Sequence, residues 1–116
     1  MAAPYVVNLS INAGSSFTQL YHLEGDGSSP LNLSGYDIDS QLRKHPQSAS
    51  YINFIATTNG PPSSGVIKLE LTPESTVSLK PGRYVYDVII TNLSSGVKTR
   101  VIEGSALITQ NVTRVS

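Results

Sequence analysis

The sequence predicts an all-β protein: a single antiparallel β-sandwich of about seven or eight strands, with one short helical turn near residues 73–79. Along most of the chain, apolar residues alternate with polar ones at a period of two, which is the pattern of strands that bury one face. Clusters of Gly, Pro, Asn and Ser separate these stretches at short intervals. Helix-start signals are confined to the residues just before position 73.

The first half of the chain contains four predicted strands. They span residues 5–11, 16–23, 36–43 and 51–57. The third strand has the clearest alternation, with Tyr36, Ile38, Ser40 and Leu42 on one face and Asp37, Asp39, Gln41 and Arg43 on the other. Turn-forming residues fill the breaks at 24–30 and 58–65, which we expect to be projecting loops.

The second half continues with strands at 66–71 and 83–93. The 83–93 strand is apolar on both faces, which predicts either a central strand or a strand whose outer face meets a partner. Residues 97–103 return antiparallel to it. Gly104 predicts a bulge or kink, after which 106–109 alternate again.

The helical turn is predicted from capping chemistry. Residues 72–74 are Thr-Pro-Glu, in which the threonine suits an N-cap, the proline the first helical position and the glutamate the helix dipole. Val77 and Leu79 are predicted to pack this turn onto the sheets. Pro-Gly at 81–82 ends it.

Length and composition fit one domain over 1–116, with N- and C-terminal segments that extend from the sandwich. Lys+Arg and Asp+Glu number 8 each, so charge favours neither nucleic acid nor an anionic membrane as partner. The sequence has no apolar run of the roughly 18 to 20 residues of a membrane span and lacks the basic start of a signal peptide. Cysteine is absent, which excludes disulfides.

Few residues are candidates for catalysis or metal binding. His22 and His45 are the two histidines, whereas a zinc site needs three or four clustered ligands. Asp37 and Asp39 share a strand face roughly 7 Å apart, but carboxylates on one strand do not flank a scissile bond from opposite sides. Glu24 and Asp26, with the glycines at 25 and 27, leave a calcium loop as an alternative, without the ligand spacing of an EF-hand. We therefore predict a protein that is not an enzyme and has no cofactor and no metal.

Tyrosine supplies the remaining candidate site residues, since it outnumbers phenylalanine 6 to 2. Tyrosines pack in cores, and on an exposed face they also serve protein interfaces and sugar binding. Tyr36 and Tyr51 are candidates for glycan contact. The candidate interface set comes from the long strand and the N-terminal strand and comprises Tyr84, Val85, Tyr86, Ile89, Tyr5 and Val6.

Four ordered segments carry a family resemblance. They are Asn-Ala-Gly-Ser-Ser-Phe at 12–17, Leu-Asn-Leu-Ser-Gly-Tyr at 31–36 with Leu-Arg-Lys at 42–44, Leu-Lys-Pro-Gly-Arg-Tyr-Val-Tyr-Asp-Val at 79–88, and Val-Ile-Glu-Gly at 101–104 with Asn-Val-Thr-Arg at 111–114. In combination they resemble small virion structural proteins of β-sandwich type from tailed bacteriophages. The leading segments also look like the N-terminal domain of some phage baseplate upper proteins.

The resemblance implies a non-enzymatic bacteriophage virion protein with an Ig-like architecture. Such a protein is made in the host cytoplasm and docks on other capsid or tail proteins, as lattice-bound copies or as a homo-oligomer. A capsid decoration or cement role is favoured, because the chain is short and has no second domain to bridge the parts of a baseplate. A tail or baseplate component is the alternative, and a carbohydrate-binding adhesion module is the rival from another class.

Overall fold

The computed structural model describes residues 5–25 and 29–113, which form two packed β-sheets. The prediction of an all-β sandwich is confirmed. In chain order the strands are β1 (Tyr5–Val6), β2 (Leu9–Ala13), β3 (Phe17–His22), β4 (Tyr36–Arg43), β5 (Ile52–Asn53), β6 (Ile55–Thr58), β7 (Val66–Leu71), β8 (Gly82–Asn92) and β9 (Lys98–Gln110). A 3₁₀ turn spans Pro62–Ser64, and helix α1 spans Pro73–Val77.

The larger sheet has the strand order β1-β9-β8-β4-β5, with β2 also paired to β9. The smaller sheet has the order β3-β7-β6. All pairs are antiparallel except that β1 and β2 run parallel to β9, so the first and last parts of the described chain lie side by side. The sequence pattern did not indicate this parallel edge, because alternation reports which face is buried and not which strand lies alongside.

The predicted strand 5–11 is divided into β1 and β2 at residues 7–8, where the chain passes closest to β9. The Val7 backbone N–H donates to the Glu103 carbonyl at 2.9 Å. A Cβ atom added at Gly104 would lie 2.1 Å from the Val7 carbonyl oxygen, so this close approach requires glycine. The predicted bulge at Gly104 was wrong in position: the register shift between β8 and β9 falls at Val88/Ile89.

The predicted strand 51–57 is divided between the two sheets. β5 pairs with β4 in the larger sheet, whereas β6 pairs with β7 in the smaller one. Phe54 lies between them; its side chain is buried and its N–H donates to the Ser40 carbonyl at 2.9 Å. The aromatic ring thus fills the interior at the point where the chain changes sheets.

Helix α1 begins as predicted, since the Thr72 side chain accepts a backbone N–H of the first turn. The prediction that Val77 packs this turn was wrong, because Val77 is 67% exposed. Thr76 is buried instead, and its hydroxyl donates to the Ser15 carbonyl at 2.8 Å. A hydrogen-bonded threonine therefore fastens the helix to the β2–β3 turn.

The break at 58–65 is tied to the chain segment before β4 and does not simply project. The Pro62 carbonyl accepts the Leu33 N–H at 2.9 Å, and the Gly65 carbonyl accepts the Leu23 N–H at 2.8 Å. Gly65 has a φ of 72°, and a Cβ there would lie 2.7 Å from the Leu23 carbonyl oxygen. The other predicted loop, 24–30, lies partly outside the described residues, as does the calcium alternative at 24–27.

The core lies between the two sheets and combines aliphatic side chains with the aromatic rings of Tyr21, Phe54 and Tyr86. Its largest fully buried apolar side chains are Ile11, Leu33, Leu42, Ile67, Leu69, Val88, Ile90, Ile102 and Ile108. Strands such as β2 and β8 contribute alternate residues to it, as the period of two predicted. Burial of this apolar surface is the main source of stability for the fold.

The arrangement of strands is that of an immunoglobulin-like sandwich, in which β3-β7-β6 and β4-β8-β9 form the facing sheets. The Tyr84 hydroxyl donates to the Lys80 carbonyl at 3.0 Å at the start of β8, which is the tyrosine corner of such domains. Two residues further on, Tyr86 occupies the position at which antibody domains place a disulfide cysteine. In this cysteine-free chain, the Tyr86 hydroxyl lies 2.9 Å from the Tyr21 hydroxyl of the other sheet.

Candidate functional site

The outer face of β8 presents an apolar and acidic surface at the centre of the larger sheet. Val85, Asp87 and Ile89 point away from the core and are each half-buried by their neighbours. Their cross-strand partners are Arg43, Gln41 and Asp39 on β4 and Ser105, Glu103 and Arg100 on β9. Directly opposed side chains in a sheet lie within contact distance, so these residues form one continuous patch.

This patch is the floor of a shallow groove of about 580 Å³, which we call the outer groove. Val6 lies along its β1 side, and Pro46 along its β4 side. Asn8 fixes the β1 side, because its Oδ1 atom accepts the Ser105 N–H at 3.1 Å and the Ser105 hydroxyl at 3.2 Å. Within the described ranges 5–25 and 29–113, the groove is open to solvent.

Asp87 is the electrostatic centre of the outer groove. Burial raises the pKa of its carboxyl group above the ordinary value, and the charge of Glu103 acts in the same direction. Arg100 and Arg43 favour the ionised form but do not outweigh the loss of water. The carboxylate is therefore under-solvated at neutral pH, a state that an added cation or hydrogen-bond donor would relieve.

The two arginines around Asp87 are already held in place. Arg43 donates to the Ser48 carbonyl and, at 2.7 Å, to Oε1 of Gln41. Arg100 forms an ion pair with Glu103, whose carboxylate oxygen lies 3.5 Å from Nε. Since these partners fix the guanidinium groups, the groove presents an ordered pattern of charge.

Two of the interface candidates lie on the inner face of β8. Tyr86 is 4% exposed, because even-numbered residues of this strand point into the sandwich, and its hydroxyl donates to the Val7 carbonyl at 2.6 Å. Tyr84 is half-buried on the same inner face. Val85 and Ile89 lie on the outer face and line the outer groove, whose lining also reaches Tyr86.

Tyr5 and Val6, the other two candidates, are exposed by 54% and 70%. They form β1 at the edge of the larger sheet. Val6 pairs with Glu103 and lies in the outer groove, but Tyr5 pairs with Ile102 and faces a different cleft, next to β3. The structure thus brings Val6, Val85 and Ile89 together.

The two glycan candidates lie at opposite ends of β4. Tyr36 is the first residue of the strand and is half-buried, whereas Tyr51 is 49% exposed and follows the strand's end. Tyr36 lies six residue steps along β4 from Leu42, which pairs with Ile52 next to Tyr51, so the two tyrosines are roughly 20 Å apart. These tyrosines therefore do not form one stacking platform.

Asp87, Arg43 and Arg100 were not among the predicted site residues. A charged residue inside an otherwise apolar strand was a visible signal at Asp87. The arginines gave none, because their closeness to Asp87 depends on strand order and register. In the described part of the chain, no group of three or more His, Asp or Glu side chains is placed to hold a metal ion.

The fold is an Ig-like β-sandwich whose larger sheet carries the outer groove on its outer face. No protein-family model and no curated protein matches the chain. One similar solved structure is InlP from Listeria monocytogenes, with 17% identity, a TM-score of 0.48, and coverage of 89% of this chain and 26% of that one. Another is a family 123 glycoside hydrolase from Clostridium perfringens, with 10% identity, a TM-score of 0.44, and coverage of 93% and 23%.

This chain spans about a quarter of the length of each of those proteins. At these TM-scores and identities, neither likeness bears on what the chain does. No helix among the described residues has both the length and the apolar character needed to span a membrane.

Proposed function

We propose that this protein is a non-enzymatic virion structural protein of a tailed bacteriophage that docks on the particle through its outer groove. The observation that carries the docking role is the uncovered outer face of β8, where Val85 and Ile89 flank the under-solvated Asp87. Protein interfaces have an apolar core and are enriched in arginine, and the outer groove combines Val85 and Ile89 with arginines from the two flanking strands. The virion as the place of docking rests on the four-segment sequence resemblance.

The groove suits a partner that supplies a cation or a hydrogen-bond donor to Asp87. Such a partner excludes water from Val85 and Ile89 and at the same time relieves the carboxylate. Balanced charge over the whole chain also suits a protein packed closely among other copies, because it adds little repulsion. We favour a capsid decoration or cement role, with a tail or baseplate role as the alternative.

The first test is mass spectrometry of purified phage particles from the source of this sequence, followed by antibody labelling. We expect the protein in intact particles, with label over the heads. Label at the tail tips would replace the decoration role with the tail alternative. Absence of the protein from intact particles would refute the virion role.

The second test asks whether the outer groove makes the contact. We expect Ile89→Arg to abolish incorporation of added protein into particles that lack it, because a bulky charge replaces the apolar floor. Thr57→Arg is the matched control, since Thr57 is exposed on the outer face of the smaller sheet. Incorporation of Ile89→Arg at the level of the control would show that another surface docks.

A further inference from the structure

A second concave surface lies at the end of the sandwich where β4 finishes and β8 begins. It has a volume of about 680 Å³ and an apolar base that includes Leu42 and Leu79. Its rim carries Arg43, Lys44 and Lys80, and we call it the lysine pocket. Small-molecule sites have volumes of about 300 to 1,000 Å³ and combine apolar walls with a few placed polar groups.

The lysine pocket concentrates positive charge in a chain whose formal net charge is zero. Three of the residues that line it are cationic, and none is acidic. The ion pairs formed within residues 5–25 and 29–113 join Lys68 to Glu70 and Arg100 to Glu103, so they leave the cations of the pocket unneutralised. A concave surface lined by one sign of charge attracts ligands of the opposite sign.

Aromatic rings position two of these cations. The Lys44 ammonium lies 4.8 Å from the centroid of the Tyr84 ring, and the Arg43 guanidinium carbon lies 4.6 Å from that of Tyr51. The Tyr84 hydroxyl donates to the Lys80 carbonyl, which fixes the corner that carries the second lysine. A cation over a ring keeps its full charge, so Lys44 remains available to an anion.

The remaining walls suit a sugar better than a bare anion. Tyr51 is 49% exposed and offers an aromatic surface against which the apolar side of a pyranose ring can pack. Ser48, Ser50 and Ser78 also line the pocket. Oγ of Ser48 accepts the His45 N–H and the Ser78 hydroxyl donates to the Ser75 carbonyl, which leaves the Ser48 hydroxyl as a donor and the Ser78 oxygen as an acceptor. An inorganic anion would use the cations alone and leave these groups without a role.

We propose that the lysine pocket binds an acidic sugar, that is, a sugar residue carrying a sulfate, phosphate or carboxylate group. Lys44 and Lys80 hold the anionic group, Tyr51 packs against the ring, and the serine hydroxyls bind the sugar hydroxyls. This site does not depend on the outer groove or on a virion location. Arg43 lines both the outer groove and the lysine pocket, so no variant in either experiment substitutes Arg43.

The test is isothermal titration calorimetry of the full chain with a heparin-derived sulfated disaccharide at low ionic strength. We expect the Lys44→Gln/Lys80→Gln double variant to weaken binding by about tenfold or more, because it removes two charge-assisted contacts. Tyr51→Leu should weaken binding by about two- to tenfold. Lys98→Gln is the matched control and should bind as the unaltered chain does, since Lys98 opposes Thr91 at the far end of β8.

Circular dichroism and thermal melting show whether the variants remain folded, and the two single lysine variants serve if the double variant is unstable. Inorganic sulfate, maltose and a glutamate-rich peptide are titrated in parallel, and we expect each to bind more weakly than the sulfated disaccharide. No binding of the disaccharide would overturn the proposal, and so would equal losses in the Lys98 control and the double variant. Inorganic sulfate or the peptide binding as tightly as the disaccharide would overturn the assignment of a sugar.

Discussion

The two faces of β8 use similar residues for opposite purposes. The inner face places Tyr86, Val88 and Ile90 in the core, where each is 4% exposed or less. The outer face places Val85, Asp87 and Ile89 in the outer groove, where each stays partly exposed. Both faces are apolar enough that the strand's own sequence does not distinguish them by hydrophobicity alone.

What distinguishes the two faces is whether their polar groups are satisfied. The Tyr86 hydroxyl is held between the Tyr21 hydroxyl and the Val7 carbonyl, so the polar atom of the inner face is fully paired. Asp87 on the outer face is under-solvated, and the arginines around it do not fully compensate. The polar groups of the inner face are therefore paired within the monomer, whereas our proposal is that a partner pairs those of the outer face.

The largest expected effect comes from two adjacent isoleucines of β8 that point in opposite directions. Ile90→Ala should lower the free energy of unfolding by about 2–5 kcal/mol, because it opens a cavity in the core. Ile89→Ala should lower it by less than about 1 kcal/mol, since its side chain is only partly buried. Urea unfolding monitored by circular dichroism measures both. Equal losses would break the distinction between the two faces.

The next effect concerns the tyrosine pair that joins the sheets. Tyr86→Phe should lower the free energy of unfolding by about 1–3 kcal/mol, because it leaves both the Tyr21 hydroxyl and the Val7 carbonyl without their partner. Tyr21→Phe should lower it by less, since the Tyr86 hydroxyl still donates to the Val7 carbonyl. Chemical denaturation of the two variants gives the comparison.

If Tyr21→Phe lowers the free energy of unfolding as much as Tyr86→Phe or more, then the hydrogen bond from Tyr86 to the Val7 carbonyl does not make the expected contribution. A spectroscopic check is available as well. Burial raises the pKa of both hydroxyls above that of free tyrosine, with the hydrogen bond to Tyr86 adding to the effect at Tyr21. An alkaline titration followed by ultraviolet absorbance should therefore leave these two tyrosines un-ionised after the exposed ones have titrated.

The smallest expected effect is a pH-dependent gain in stability when Asp87 is replaced. Because the pKa of Asp87 is raised in the folded state, the contribution of its carboxyl group to the stability of the fold is fully present below about pH 4. That contribution is lost as pH rises through the folded-state pKa. Asp87→Asn should therefore be more stable than the natural chain at pH 7 and show no such gain at pH 3. Thermal melts over this range measure the difference. A variant less stable at pH 7 would mean that attraction to Arg43 and Arg100 outweighs the loss of water.

Several elements could be predicted from the sequence because their signals are local. The alternation at 36–43 identified β4 and its two faces, and the capping residues around Thr72 identified the start of α1. Predictions were wrong where two distant segments meet. Gly104 is required by the passage of Val7 across β9, and Thr76, not Val77, is buried because it bonds to Ser15.

The candidate site was predicted only in part, for the same reason. Val85 and Ile89 could be assigned to one face by their spacing, and Val6 entered the candidate interface set as a residue of the predicted N-terminal strand. The arginines of the outer groove came from β4 and β9, and their approach to Asp87 is set by register. The cations of the lysine pocket likewise come from the end of β4 and the corner before β8.

The sequence by itself determined the fold class, most strand positions and, in strands with a clear alternation such as β4, the side that is buried, because a period of two is a local property of the chain. The tertiary structure alone decided which strands are neighbours, including the parallel edge of β1 and β2 on β9. It also decided which charges share a surface. Those features depend on contacts between residues far apart in the chain, and a one-residue change of register would place the same side chains on opposite faces.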